Sequence, residues 1–276
     1  MERAPFASSH PLERFLLSEA PCYRPFGDEV ARFEAACREH LPMIVKGPTG
    51  CGKTRFVEYM AWKLGLPLVP LACNEDTSAS DLVGRFLLDG NGTWWADGPL
   101  TLAARHGGIC YLDEIVEARE DTTVAIHPLT DARRVLPLDR KGELVHAHPD
   151  FHLVMSYNPG YQGGAKRLKP STRQRFVALE FDYGTVEHEV DVVIAESGVT
   201  PAFAQRLVDI AQRSAALIGD GLDERVSTRM LVHAARLAAA GLAPRDACRL
   251  AISDAASDDA DARAALQAFA DAHFAA

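Results

Sequence analysis

Residues 41–54 read Leu-Pro-Met-Ile-Val-Lys-Gly-Pro-Thr-Gly-Cys-Gly-Lys-Thr. A short apolar run, Met43–Val45, is followed by Gly47-x-x-x-x-Gly52-Lys53-Thr54, and then by a helix-like pattern over Arg55–Leu64. Strand, glycine loop and helix in that order are the setting a phosphate-binding loop requires. The residue types explain why. Gly47, Gly50 and Gly52 let the backbone curl so that successive N–H groups point at phosphate oxygens. The helix that starts near Gly52 adds its positive end. Lys53 supplies a point charge for the β- and γ-phosphates, and the Thr54 hydroxyl is a hard oxygen ligand for Mg²⁺. Gly47, Pro48, Thr49, Gly50, Cys51, Gly52, Lys53 and Thr54 are therefore the candidate ATP-binding segment. A glycine turn that held no ligand would not need all eight positions of the pattern.

The second half of a hydrolytic site follows further along. Gly108-Ile-Cys-Tyr-Leu-Asp113-Glu114 is an apolar strand ending in two acids. Asp113 at the strand tip is suited to hold Mg²⁺, mostly through water, and Glu114 to polarise the attacking water. Another apolar run, Phe151–Tyr157, ends in Asn158, placed to bond the γ-phosphate or orient the water. Ser171-Thr-Arg173-Gln-Arg175 precedes a last strand over Phe176–Phe181. An arginine at such a rim can reach a neighbouring subunit's γ-phosphate, and the alternative is an ordinary surface ion pair.

Between these landmarks the chain is expected to run as follows. Residues 1–20 form a peripheral N-terminal segment, weakly ordered or with a short helix around Leu12–Leu17. A helix capped by Asp28 runs to about His40. Tyr23 and Phe26 are candidate walls for an adenine ring, or plain core aromatics. Leu68–Ala72 is a second strand. Asp89-Gly90-Asn91-Gly92 turns a hairpin between Arg85–Leu88 and Thr93–Ala96, with Trp94 and Trp95 either exposed for a partner or packed down. Residues 115–135 read as one helix with polar interruptions. Residues 138–150 suggest a second hairpin turning at Lys141-Gly142. His146, His148 and His152 are not read as a metal site, because Pro149 breaks their register and no carboxylate or Cys completes the set. From about Gly184 only helical periodicity remains: Val186–Glu196, Pro201–Ile218, Val226–Ala240, Pro244–Ile252 and Asp259–Phe274. Arg229, at the start of the third of these, is placed to fold over bound nucleotide. The division is thus an α/β nucleotide-binding domain over 21–183 and a helical domain over 184–276.

Bulk properties narrow the partners. Formal net charge is −9, so a general nucleic-acid footprint is unsupported. Cys22, Cys37, Cys51, Cys73, Cys110 and Cys248 lack C-x-x-C spacing and read as reduced thiols. The start lacks the apolar core of a signal peptide and no run reaches membrane-span length. A cytoplasmic protein is expected.

These residues together resemble an AAA+ ATPase of the MoxR branch, and more narrowly the CbbQ/NorQ family. The matching strings are Lys46–Val57, Ser80–Arg85, Asp97–Leu100, Ile109–Arg119, His127–Arg134, Ser156–Gln162 and Ser171–Phe176. The resemblance implies an α/β P-loop core with a five-stranded parallel sheet, a small helical lid and a homo-hexameric ring. It implies ATP and Mg²⁺ as cofactors, with Lys53, Thr54, Asp113, Glu114 and Asn158 acting in cis. Arg173 or Arg175 would be the finger in trans, and Arg229 would sense nucleotide from the lid. The two hairpins match the family's helix-2 insert and pre-sensor hairpin, which face the pore or the client. The family works with an adaptor carrying a von Willebrand factor A domain. Its CbbQ types reactivate inhibited Rubisco, and its NorQ types help activate nitric oxide reductase. Ala72–Asp76, Lys141–Glu143 and Ala147–Phe151 look more like the Rubisco branch. Lys169–Val177 looks more like the other, and Gly163-Gly164-Ala165 departs from both. Rubisco reactivation is the expectation. A different class, a slow nucleotide-gated binding adaptor, fits the same residues, whereas nucleic-acid remodelling fits the charge poorly.

Overall fold

The computed structural model describes residues 11–90, 92–159 and 167–275. By packing, the chain falls into two units. One holds the described residues up to Pro21 together with Gly27–Lys46 and Lys53–Glu180; the other holds Cys22–Phe26, Gly47–Gly52 and the chain from Phe181 onward.

The first unit is built on five parallel strands: β1 (Met43–Lys46), β2 (Leu68–Ala72), β5 (Gly108–Asp113), β8 (Phe151–Tyr157) and β9 (Val177–Glu180), in the spatial order β2-β5-β8-β1-β9. β5 and β8 are continuous apolar runs because helices cover both faces of a parallel sheet. Every residue of β8 is buried. Helices α1 (Glu29–Arg38), α2 (Lys53–Leu64), α3 (Ala79–Val83) and α4 (Pro99–His106) belong to this unit. Asp28 pairs with Arg32 at 2.8 Å, one turn into α1, and places no side-chain cap on it. Leu12 is wholly buried in the sheet's core. It follows that residues 11–20 are not simply peripheral: they contribute a core side chain and a single 3₁₀ turn, Glu13–Phe15. Residues 1–10 lie outside the described residues.

Both hairpins form in this unit. β3 (Gly84–Asp89) pairs with β4 (Gly92–Asp97), and β6 (Val135–Leu138) with β7 (Glu143–His146). The second hairpin is displaced towards the N-terminus from its expected span, since Val135–Leu138 rather than Leu138 alone makes the outgoing arm. Its turn includes Gly142 at φ 68°. In the first, Trp95 turns inward, its ring 5.1 Å from Phe86 and its Nε1 donating to Asp97 at 2.7 Å. Phe86, Leu88 and Trp94 stay exposed. Arg105 on α4 ties the two hairpins together, donating to Asp97 on β4 at 3.0 Å and to Glu143 on β7 at 2.5 Å.

The single helix expected over 115–135 is instead three short pieces: a 3₁₀ turn over Ile115–Glu117, α5 (Glu120–Ala125) and α6 (His127–Thr130). Pro128 lacks an N–H and starts a helix more readily than it continues one. The backbone is also left-handed at Glu114, so no helix can run back into β5. A short helix, α7 (Pro170–Arg173), precedes β9.

The second unit is helical: α8 (Val186–Ser197), α9 (Pro201–Ser214), α10 (Thr228–Ala239), α11 (Pro244–Cys248), a π turn over Arg249–Ser253 leading to α12 (Asp254–Ala256), and α13 (Ala260–His273). Thr185 and Thr200 cap α8 and α9 through their hydroxyls, and Asp259 caps α13 through its carboxylate. These caps satisfy amides that have no intrahelical acceptor. Leu207, Ile210, Leu231, Ile252 and Leu266 form the centre of the core.

Candidate active site

In the α/β unit the chemistry sits at the C-terminal ends of adjacent strands, where open α/β sheets bind ligands. Asp113 ends β5, and Asn158 follows the last residue of β8. Lys53 opens α2 and is nearly buried, and its Nζ donates to Asn158 Oδ1 at 2.6 Å. Thr54 Oγ1 donates to Asp113 Oδ2 at 3.1 Å. The other carboxylate oxygen, Oδ1, accepts from the Tyr111 hydroxyl at 2.8 Å and from the Ser156 hydroxyl. Burial and the Asp113 charge push the Tyr111 phenol up, so it stays a donor. Glu114 is exposed, and its left-handed backbone (φ 55°, ψ 44°) sends its amide to Ser156 Oγ at 3.2 Å.

The sequence-derived residues Lys53, Thr54, Asp113 and Asn158 thus gather at the strand tips as two hydrogen-bonded groups, Lys53 with Asn158 and Thr54 with Asp113, with the Glu114 amide joined to the second through Ser156. Tyr111 and Ser156 were missed, since each lies inside an apolar run that reads as core filler. Their only signal is a polar atom in an otherwise hydrocarbon strand. Arg173 and Arg175 are both exposed on and just after α7. Arg175 Nη1 donates to the Ser171 carbonyl at 2.5 Å, and His127 Nε2 lies 2.9 Å from Thr172 Oγ1, anchoring the helix. Burial and the Arg175 charge lower the His127 pKa. Arg173 has no ion-pair partner among the described residues.

The donor set at Thr54 and Asp113 is hard oxygen, which suits Mg²⁺. Among the described residues no three His, Cys, Asp or Glu side chains form a metal cage. One carboxylate plus one hydroxyl is what a magnesium site completed by phosphate and water needs from protein.

In the helical unit the loop Gly47–Gly52 is held by residues far along the chain. The Thr49 amide donates to Glu224 Oε2 at 2.9 Å, and the Tyr183 hydroxyl donates to the Thr49 carbonyl at 2.9 Å. Gly50 has φ +70°, and a Cβ there would lie 2.7 Å from Ser227 Oγ and 3.3 Å from Arg229 Cβ. Only glycine fits where the start of α10 meets the loop. Arg229 is exposed beside it. Arg225 stacks 3.8 Å over the Tyr183 ring and pairs with buried Glu189 at 2.9 Å, and Glu189 also accepts from Thr228 at 2.6 Å. Phe26 contacts His188 and Phe181 in this unit. Glu224 and Tyr183 were not legible in the sequence as loop partners, nor Arg225 and Glu189 as the pair behind Tyr183.

A P-loop followed by an acidic strand tip and a polar strand tip, on a β2-β5-β8-β1-β9 parallel sheet, defines an AAA+ ATPase domain. A family model described as an AAA domain of the dynein-related subfamily matches residues 42–176, and one described as CbbQ/NirQ/NorQ C-terminal matches residues 189–273. The chain belongs to the CbbQ/NirQ/NorQ family of MoxR-type AAA+ proteins. It is 61% identical over 262 residues to Protein CbbQ of Hydrogenophilus thermoluteolus, covering 95% of this chain and 98% of that one. It is 56% identical over 255 residues to the denitrification regulatory protein NirQ of Pseudomonas aeruginosa, covering 92% of this chain and 98% of that one. The RuvB Holliday junction branch migration motor of Thermotoga maritima shares the fold, with TM-score 0.52 at 14% identity over 88% of this chain and 69% of that one.

Proposed function

We propose that the protein is a Mg²⁺-dependent ATPase that works in the cytoplasm as a homo-hexameric remodelling machine on a client enzyme. The cluster of Lys53, Thr54, Asp113 and Asn158, with Glu114 at its edge, is the observation that carries the hydrolytic reading. Gly47–Gly52 supply amides to the phosphates, and Lys53 exchanges its contact with Asn158 for phosphate oxygens. Thr54 and Asp113 hold the magnesium, which neutralises charge developing on the phosphates. Glu114 takes a proton from the attacking water, and Asn158 orients that water or the γ-phosphate. Arg229 senses nucleotide beside Gly50. The trans finger is Arg173 or Arg175: Arg173 has no ion-pair partner among the described residues, whereas Arg175 is tied to the Ser171 carbonyl.

Inhibited Rubisco is the client we favour, acting through a von Willebrand A-domain adaptor. The higher identity to CbbQ than to NirQ supports this, as do the sequence strings already compared. The relatives associated with denitrification keep activation of nitric oxide reductase as the second reading. The test is recovery of inhibitor-bound Rubisco with this protein, its adaptor and ATP. Recovery that needs all three is expected, and no recovery alongside stimulation of ATP turnover by nitric oxide reductase would move the client to the second reading. Slow turnover, unstimulated by adaptor or either client, would favour a nucleotide-gated adaptor. Mixed rings of Lys53→Ala with Arg173→Ala or Arg175→Ala subunits assign the finger: the arginine whose mixture recovers activity is the one that acts in trans, because the Lys53→Ala neighbour supplies it to an intact nucleotide site.

A further inference from the structure

We propose that Tyr111 and Ser156 are positioning residues that set the Asp113 carboxylate for the metal and fix the backbone of Glu114. This rests on the magnesium-dependent hydrolysis proposed above and adds to it two hydroxyl side chains that have no role in it so far.

The placement follows from strand geometry. Residues two apart on a strand share a face, so Tyr111 lies on the Asp113 side of β5. β8 runs parallel beside β5 with Leu112 opposite Met155, which sets Ser156 next to Asp113. Both hydroxyls then meet one oxygen, Oδ1. Tyr111 is 1% exposed and Ser156 is fully buried, so water does not compete for these bonds. Hydrogen bonds to an ionised acceptor are roughly twice as strong as neutral ones. With two donors on Oδ1, rotation of the carboxylate is blocked, and Oδ2, the oxygen beside Thr54, is left for the metal. Tyr111 also lies 3.3 Å from Thr54 Oγ1, so it touches both protein groups of the proposed magnesium site. Ser156 has a second task. Its oxygen accepts the Glu114 amide, holding a residue whose left-handed backbone a side chain other than glycine adopts reluctantly. A phenylalanine and an alanine would fill the same volumes, so the hydroxyls are not needed for packing alone.

The experiment uses the full chain with Tyr111→Phe, Ser156→Ala and Ser156→Thr. Mn²⁺ is titrated by electron paramagnetic resonance in the presence of a non-hydrolysable ATP analogue, and analogue affinity is measured separately without metal. Groups that orient a metal ligand typically change affinity or activity by about 10–100-fold. Tyr111→Phe and Ser156→Ala are expected to need roughly tenfold more Mn²⁺, with metal-free analogue affinity within about twofold of the parent. Ser156→Thr restores the Mn²⁺ requirement. Ser156→Ala should also lower kcat at saturating metal with KM unchanged, because the Glu114 amide loses its acceptor. Unchanged Mn²⁺ affinity in both hydroxyl deletions would overturn the proposal. So would an equal fall in metal-free analogue affinity, which would indicate a purely structural role. If the parent protein itself binds no Mn²⁺ with the analogue, the hydrolytic reading fails and this inference fails with it.

Discussion

The strand-tip cluster of the α/β unit and the loop clasp of the helical unit handle polar side chains in opposite ways. At the strand tips, Lys53 bonds Asn158, and Thr54 and Ser156 bond Asp113, so side chains from α2, β5 and the end of β8 meet where strand register is set by buried hydrocarbon. In the helical unit, Glu224 and Tyr183 grip the main chain of Thr49, and they are themselves backed by the Arg225–Glu189 pair. The first arrangement fixes functional atoms against each other and suits a chemical step. The second holds a backbone segment through a few exchangeable bonds and suits a change of state. One of those bonds has the Glu224 carboxylate on the Thr49 amide, so an anionic group of the protein already sits on the loop proposed to bind phosphate.

On that contrast, substitutions at the strand tips should change turnover and substitutions in the clasp should change affinity or stability. The largest effect is expected from Glu114→Gln, which should lower kcat roughly a thousandfold while nucleotide titrations give unchanged affinity. Normal hydrolysis by this variant would remove Glu114 from the chemistry. Next, Arg225→Met leaves buried Glu189 without its guanidinium, and breaking such a pair is strongly destabilising, by about 3 kcal/mol. Urea unfolding should report the loss, and an unchanged midpoint would mean that Thr228 and Gln212 satisfy Glu189 alone. A smaller change is expected from Glu224→Gln. Removing the competing charge should tighten nucleotide affinity about threefold, the scale of one net hydrogen bond, with kcat unaltered; weaker binding would show that Glu224 helps to hold the ligand. The smallest concerns the second hairpin. Hydrogen bonds from Arg105 and Lys141 pull the Glu143 carboxyl from 4.5 to about 2. A depressed folded value means that its contribution is complete above pH 4.5 and is lost as pH falls towards 2. Hydrogen exchange of the β7 amides should therefore be protected down to about pH 4.5, and a loss of protection between pH 7 and 5 would point to another group.

How much of this was legible depended on whether the information was local. β2 matches its expected span residue for residue, and β1, β5 and β8 match within one residue at an end, because an apolar run between turn residues has few other solutions. The glycine turns placed both hairpins, although the outgoing arm of the second begins at Val135, the last residue of the span read as helix, rather than at Leu138. The segment after Glu114 failed for a physical reason: its helical composition is overridden by a left-handed residue at one end, by Pro128, and by Thr122 bonding the Thr77 carbonyl. In the site, the motif residues were readable because phosphate chemistry prescribes their types. Tyr111 and Ser156 were hidden because a hydroxyl in a buried strand looks like packing until its neighbour is known. Glu224 and Tyr183 were beyond reach, since nothing near them in the chain announces a loop more than a hundred residues away. The expectations that fell on Gly163-Gly164-Ala165 lie outside the described residues.

Glu114 carries a thermodynamic burden as well as a proposed proton. A side chain other than glycine in the left-handed region sacrifices about 1 kcal/mol or more of folding free energy, and asparagine tolerates that conformation better. Folding and turnover therefore select different residues at this position. Glu114→Asn should melt roughly 2 °C higher and hydrolyse almost nothing. A library of this protein selected only for thermal survival should lose its acid at position 114 early. Retention of glutamate in natural chains would then measure how strongly turnover, rather than persistence of the fold, is being selected.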